Sequence, residues 1–197
     1  FASVEQLSFT SLEKEVSDVA LEVTGKVPAW LDGIFVRNGP ALFEVGKEEF
    51  KHWFDGQAML HSFRFTEGSV KYTNKFLNTH NLRAHKKAGR IAVPEFGTFP
   101  KKGMLARISA LRNQDIYENT NVNVARVGGR YLALTEGDRM IEFCPTTLET
   151  ISSVRFEETL AGQIMPAHPV ESAAGDSVHL ITRFGRRSSY ILARIPA

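Results

Sequence analysis

The feature that most constrains this chain is a succession of short alternating or β-branched runs, each closed by a turn. Leu60-His61-Ser62-Phe63-Arg64-Phe65 alternates and ends at Thr66-Glu67-Gly68-Ser69. Val70-Lys71-Tyr72-Thr73-Asn74-Lys75-Phe76 then alternates again, so the two runs predict one antiparallel hairpin with a core face and a wet face. The second half repeats the pattern more densely, over 121–127, 131–135, 140–143 and 150–156. Two later runs follow, over 178–184 and 190–195. Gly128-Gly129, Glu136-Gly137-Asp138 and Pro145 supply the turns between them. Side chains with a period of two cannot settle as helices, so the chain is expected to be all-β, as a sandwich, barrel or propeller. Residues 119–156 hold three or four strands, close to the roughly 40–45 residues of one propeller blade.

Composition narrows the function. With 43% hydrophobic residues the chain can bury a core, which excludes wholesale disorder. Lys+Arg 24 against Asp+Glu 22 gives a net charge of +2, so no nucleic-acid partner is expected. One cysteine, Cys144, excludes an internal disulfide and a cysteine-based zinc site. No apolar run is long enough to cross a membrane as a helix, and no signal peptide opens the chain. The one helical signal is Met104, Leu105, Ile108 and Leu111 on one face, after Pro100, flanked by Lys101, Lys102, Arg107 and Arg112. Such a stretch over 101–112 either covers core as a surface helix or lies on a membrane surface.

The six histidines, His52, His61, His80, His85, His168 and His179, form no HxH or HxxxH pair, so spacing alone yields no metal site. His61 shares an alternating strand face with Phe63 and Phe65, and His80 and His85 read as solvated in a basic stretch. His168 differs because Pro166 and Pro169 flank it in Met165-Pro166-Ala167-His168-Pro169. The following proline holds it extended, which fixes the direction of the imidazole, as a metal ligand requires. Glu136 lies between a hydrophobic strand and a Gly-Asp turn. It reads either as a surface carboxylate or as one that orients a metal-bound imidazole. No nucleophile elbow, phosphate loop or dinucleotide fingerprint is present.

Several blocks together resemble the carotenoid cleavage oxygenase family, nearest its animal-type branch. They are Pro28-Ala29-Trp30-Leu31-Asp32-Gly33, Arg37-Asn38-Gly39-Pro40 and His52-Trp53-Phe54-Asp55-Gly56-Gln57-Ala58-Met59-Leu60-His61. Tyr72, Lys75-Phe76-Leu77, Glu95-Phe96-Gly97-Thr98, Asn121-Val122-Asn123-Val124, Thr135-Glu136 and Ala167-His168-Pro169 follow in the family's order. The resemblance implies a seven-bladed β-propeller with a non-haem iron(II) on its axis, held by four histidines. His168 matches the first of these, and Glu136 matches a carboxylate that holds another ligand histidine. Phe99 matches an aromatic lining the substrate tunnel, while His52 and His61 match motif residues with structural roles. The implied reaction is oxidative cleavage of a carbon–carbon double bond of a carotenoid or apocarotenoid by dioxygen, giving aldehydes or ketones.

By the same resemblance, residues 1–27 are expected to be an N-terminal extension and 28–197 the N-terminal blades of an incomplete propeller. At about 40–45 residues per blade the chain has room for at most about four. The other three ligand histidines are expected outside it, and the chain alone is expected to be inactive. A cytoplasmic protein in peripheral contact with a membrane through 101–112 is expected. Here the chain runs directly from Gly97-Thr98 through Phe99-Pro100 to Lys101, without the longer insert of animal-type members. A stilbene-cleaving dioxygenase, an isomerohydrolase and a non-catalytic propeller module binding isoprenoids or a partner are the competing readings.

Overall fold

The computed structural model describes residues 9–100, 118–155 and 164–197. The basic stretch over 101–112 lies outside the described residues. Three antiparallel sheets carry the fold. The first has the order β1-β6-β5-β2, from β1 (Val16–Ala20), β6 (Ser69–Phe76), β5 (Gln57–Thr66) and β2 (Gly33–Leu42). The second is a meander of β7 (Asn123–Val127), β8 (Arg130–Leu134), β9 (Arg139–Phe143) and β10 (Thr150–Arg155). The third joins β11 (Val170–Glu171), β12 (Ser177–Arg183) and β13 (Ser189–Ile195). A small ribbon, β3 (Glu44–Val45) with β4 (Glu48–Glu49), sits beside the first sheet.

The hairpin expected from residues 60–76 forms, with Phe65 opposite Val70 and Leu60 opposite Lys75. Val70, Asn74 and Phe76 are buried on one side of β6, as a period of two requires. Within the stretch read as an extension, Val16–Ala20 pairs with Tyr72 and Asn74 as the outermost strand of the first sheet. Leu12 N–H also bonds Ala41 O, and Phe9 packs on Phe43 and Trp53.

The sheets stack face to face in chain order, and the second is buried on both sides. Ala133, Ile141 and Phe143 meet Ala58, Leu60 and Leu77 of the first-sheet region. Leu132, Leu134 and Met140 point the other way, onto Met165, Ala167, Ile181 and Ala193. This is why Leu132-Ala133-Leu134 is an unbroken apolar run rather than an alternating one. Leu180, Tyr190 and Leu192 remain exposed on the third sheet. Successive meanders packed this way around shared inner edges are blades of a propeller, and the expected all-β class holds.

One part of the sequence reading is corrected. The basic stretch at 80–88 is a helix, α1 (His80–Ala88), and His85 is fully buried rather than solvated. Thr79 caps it by accepting the Leu82 N–H, and Gly89 ends it in the left-handed conformation that glycine adopts without strain. Among the described residues, no helix is long and apolar enough to cross a membrane.

Candidate metal-ligand segment at the inner strand edges

The strands β2 and β7 lie side by side at neighbouring inner edges, and asparagines join them. Asn38 on β2 donates its side-chain amide to the carbonyls of Thr120 and Asn123. Asn119 and Asn121 donate to Phe54 O and Gly56 O, while Asn119 Oδ1 accepts the Ala58 N–H at 3.0 Å. Separate blades cannot share a backbone ladder, so their edge carbonyls need side-chain donors. Asparagine is short and carries both donor and acceptor, which suits it to that task.

The same device reaches the third sheet at His168. Asn123 Nδ2 donates to Ala167 O at 2.8 Å and meets His168 Nδ1 at 3.3 Å. Ala167 N–H points to Glu136 Oε1 at 3.4 Å, from the loop between β8 and β9. The structure therefore brings Glu136 and the His168 segment together and adds Asn123 to them. Glu136 touches the backbone before His168, not its ring. The imidazole is exposed, with Nδ1 toward Asn123. Met165 and Ala167 anchor the segment by burial in the core between the second and third sheets.

Phe99 lies elsewhere. It is 55% exposed and borders a pocket lined by Lys47, Glu48, Glu49, Lys51, Ile91 and Thr98. His52 and His61 occupy structural positions. His52 Nδ1 accepts the Phe54 N–H and caps the turn Trp53–Asp55. His61 Nδ1 and the Tyr72 hydroxyl share a hydrogen bond of 2.7 Å. Burial, aided by the Arg37 charge, pulls the His61 imidazole down to about 4. Half-buried and engaged with Tyr72, it serves the strand pair of β5 and β6. His179 is buried against Ser177 Oγ, and burial lowers it too. Asn38, Asn119 and Asn123 are the site-building residues that sequence reasoning left without a role.

Among the described residues, no three His, Cys, Asp or Glu side chains are grouped so as to hold a metal. One exposed imidazole with its Nε2 edge directed away from its protein partner fits a single ligand position. With Nδ1 accepting from Asn123, the neutral ring carries its proton on Nε2. Ligation through Nε2 needs the proton on Nδ1, which Asn123 accepts only by turning its amide and releasing Ala167 O.

Comparison with known proteins agrees with this architecture. The profile of the family described as RPE65, retinal pigment epithelial membrane protein, matches residues 9–196. The beta,beta-carotene 15,15'-dioxygenase of Gallus gallus is 34% identical over 194 residues, covering 94% of this chain and 37% of that protein. The mitochondrial carotenoid-cleaving dioxygenase of Pongo abelii is 34% identical and covers 95% of this chain and 35% of its own length. Among solved structures, a mutant of the Synechocystis apocarotenoid oxygenase superposes with a TM-score of 0.81 at 32% identity, covering 96% of this chain and 41% of that one. A cobalt-substituted form of the same oxygenase gives a TM-score of 0.79 at 30% identity, with the same coverage. The chain thus spans little more than a third of the curated relatives it matches. A match along nearly all of the sequence, at 30–32% identity and on the same blades, makes this chain a member of the retinal pigment epithelial membrane protein family of carotenoid oxygenases.

Proposed function

We propose that this chain supplies one side of a non-haem iron(II) centre in a dioxygenase that cleaves a carbon–carbon double bond of carotenoids or apocarotenoids. The observation that carries the reading is His168. It stands exposed where three blades meet and is held through Nδ1 by a side chain tied into its neighbours. The names of the relatives, two carotenoid dioxygenases and an apocarotenoid oxygenase, support the substrate class. The cobalt-substituted relative supports a metal centre.

Neutral imidazoles suit iron(II), whose contribution when bound is open coordination positions for dioxygen beside the alkene. His168 would be one of its ligands. Pro169 and the buried Ala167 keep that ring from swinging, so little freedom is lost on ligation. Glu136 holds the Ala167 amide, and its second carboxylate oxygen is available to orient a ligand histidine from elsewhere in the whole protein. No acid, base or nucleophile from this chain is required. The products are aldehydes or ketones.

The test uses a protein of the relatives' full length that carries this segment. His168→Ala should lose its iron and form no aldehyde from β-carotene, with its circular dichroism unchanged. Full iron occupancy in that variant would sink the assignment. The 197-residue chain alone should neither retain stoichiometric iron nor cleave carotenoids, because it offers one ligand of a set.

A further inference from the structure

A second group of polar side chains lies away from His168, where α1, the start of β5 and the loop before Gly97 pack together. Gln57, Asn81 and His85 are 0% exposed and Glu95 is 4% exposed. Three donors converge on one carboxylate oxygen, Glu95 Oε1. They are Gln57 Nε2 at 2.8 Å, His85 Nε2 at 2.9 Å and Asn81 Nδ2 at 3.0 Å. His85 Nδ1 accepts the Ala92 N–H at 3.0 Å, so the ring proton sits on Nε2 and the imidazole is neutral. Glu95 therefore meets dipoles and no positive charge. Neighbouring Asp55, also fully buried, takes neutral donors as well, from Gly97 N–H and the Thr98 hydroxyl.

Three oxygens of this group have no hydrogen-bond partner in the protein: Glu95 Oε2, Gln57 Oε1 and Asn81 Oδ1. The amide nitrogens are committed to Glu95, so both amide oxygens are fixed as acceptors. Each belongs to an amide whose nitrogen lies within 3.0 Å of Glu95 Oε1. A buried carboxylate without a positive partner is strongly disfavoured, and three acceptors without a donor add to the penalty. A water offers two hydrogens for three oxygens, whereas a cation held between them would meet all three. One charged and two neutral oxygens are the donor chemistry of hard cations, which bind carboxylates and side-chain carbonyls together.

We propose that Glu95, Gln57 and Asn81 bind a hard cation of the sodium or calcium kind and so tie α1 to the first blade. The chain is stripped with a chelator and dialysed into a buffer of bulky organic cations. It is then titrated separately with Ca²⁺, Mg²⁺, Na⁺ and K⁺, following heat release and thermal unfolding. One ion should bind once per chain and raise the midpoint by about 5–10 °C at a hundredfold excess over its Kd. The divalent and monovalent arms decide the valence. Glu95→Gln should abolish the shift. Asn81→Ala keeps the carboxylate and should bind several-fold more weakly, which preserves the test if Glu95→Gln does not fold. If no ion moves the midpoint, Glu95 is satisfied by a proton or water and the proposal is overturned. A shift of the same size in native chain and Asn81→Ala overturns it equally.

Discussion

On the proposed role of His168 as a metal ligand, two substitutions at Asn123 separate folding from metal binding. Its Nδ2 makes two contacts, 2.8 Å to Ala167 O and 3.3 Å to His168 Nδ1. Ala167 is fully buried between the second and third sheets, so Asn123→Ala removes a donor from a carbonyl in the interior. Leaving such a group unsatisfied costs about 1–3 kcal/mol. For a domain of this length each kcal/mol lowers the unfolding midpoint by about 2–4 °C. Freeing the ring from its partner should also cost about 10–100-fold in metal affinity, the usual effect of removing a group that orients a ligand histidine. Asn123→Asp gives a different outcome. A carboxylate cannot donate to Ala167 O, so the stability loss should equal or exceed that of the alanine variant. It does accept a proton from His168 Nδ1, which leaves Nε2 for the metal. Thermal melts of this chain, together with iron analysis of both variants in a full-length protein, check the argument. Iron retained by Asp and lost by Ala, with both less stable, is the expected result. Equal iron loss in the two variants, or an unchanged melt for Asn123→Ala, would refute it.

Other perturbations probe the frame. A Cβ on Gly56 would sit 2.6 Å from Pro40 Cβ and 2.7 Å from Phe43 Cε1, so Gly56→Ala should cost about 1–3 kcal/mol by overpacking. An unchanged denaturation midpoint would contradict that. Leu134 is fully buried between the second and third sheets, and Leu134→Ala should cost about 2–5 kcal/mol in the same assay. His61 falls from 6.5 to about 4 on folding, so between those values the unfolded chain takes up a proton that the folded chain refuses. Its contribution to stability is complete above the upper value and is lost as pH falls toward the lower one. His61→Phe should flatten the decline in stability between about pH 7 and about pH 5. His179, which burial also lowers, contributes in the same direction to the decline left in the variant. Parallel pH profiles for native and His61→Phe would show that His61 is not its source.

Strands were legible because their pattern is a physical demand. A strand with one face in the core must alternate, and the hairpin of β5 and β6 emerges where the alternation placed it. The unbroken run Leu132-Ala133-Leu134 signals a strand covered on both faces, which is the position of the second sheet. The helix α1 was illegible for the opposite reason. His85 looks solvated in a basic stretch, and its burial follows from Glu95, which lies 10 residues later. Only the tertiary fold brings that carboxylate beneath the helix. β11 has two residues and carries no period to read.

The site divides along the same line. The prolines around His168 announce an extended, stiffened histidine, and the structure keeps it exposed at an inner edge. What holds it there follows from a constraint that no single segment displays. Blades are separate sheets, so backbone groups at their neighbouring edges cannot be satisfied by strand pairing across the gap. The answer is written in the spacing of Asn119, Asn121 and Asn123. Asn119 and Asn121, joined by a 3.1 Å backbone bond in a tight turn, reach Gly56 O beside the first sheet, and Asn123 at the start of β7 reaches Ala167 O beside the third. Each amide replaces a ladder bond that geometry forbids. The ring of His168 is thus the last link of a hydrogen-bonded series running from Asn38 through Asn123. A change at Asn38 should therefore reach His168 without touching it. Its amide is what holds the Asn123 carbonyl, and with it the strand that presents the Asn123 side chain.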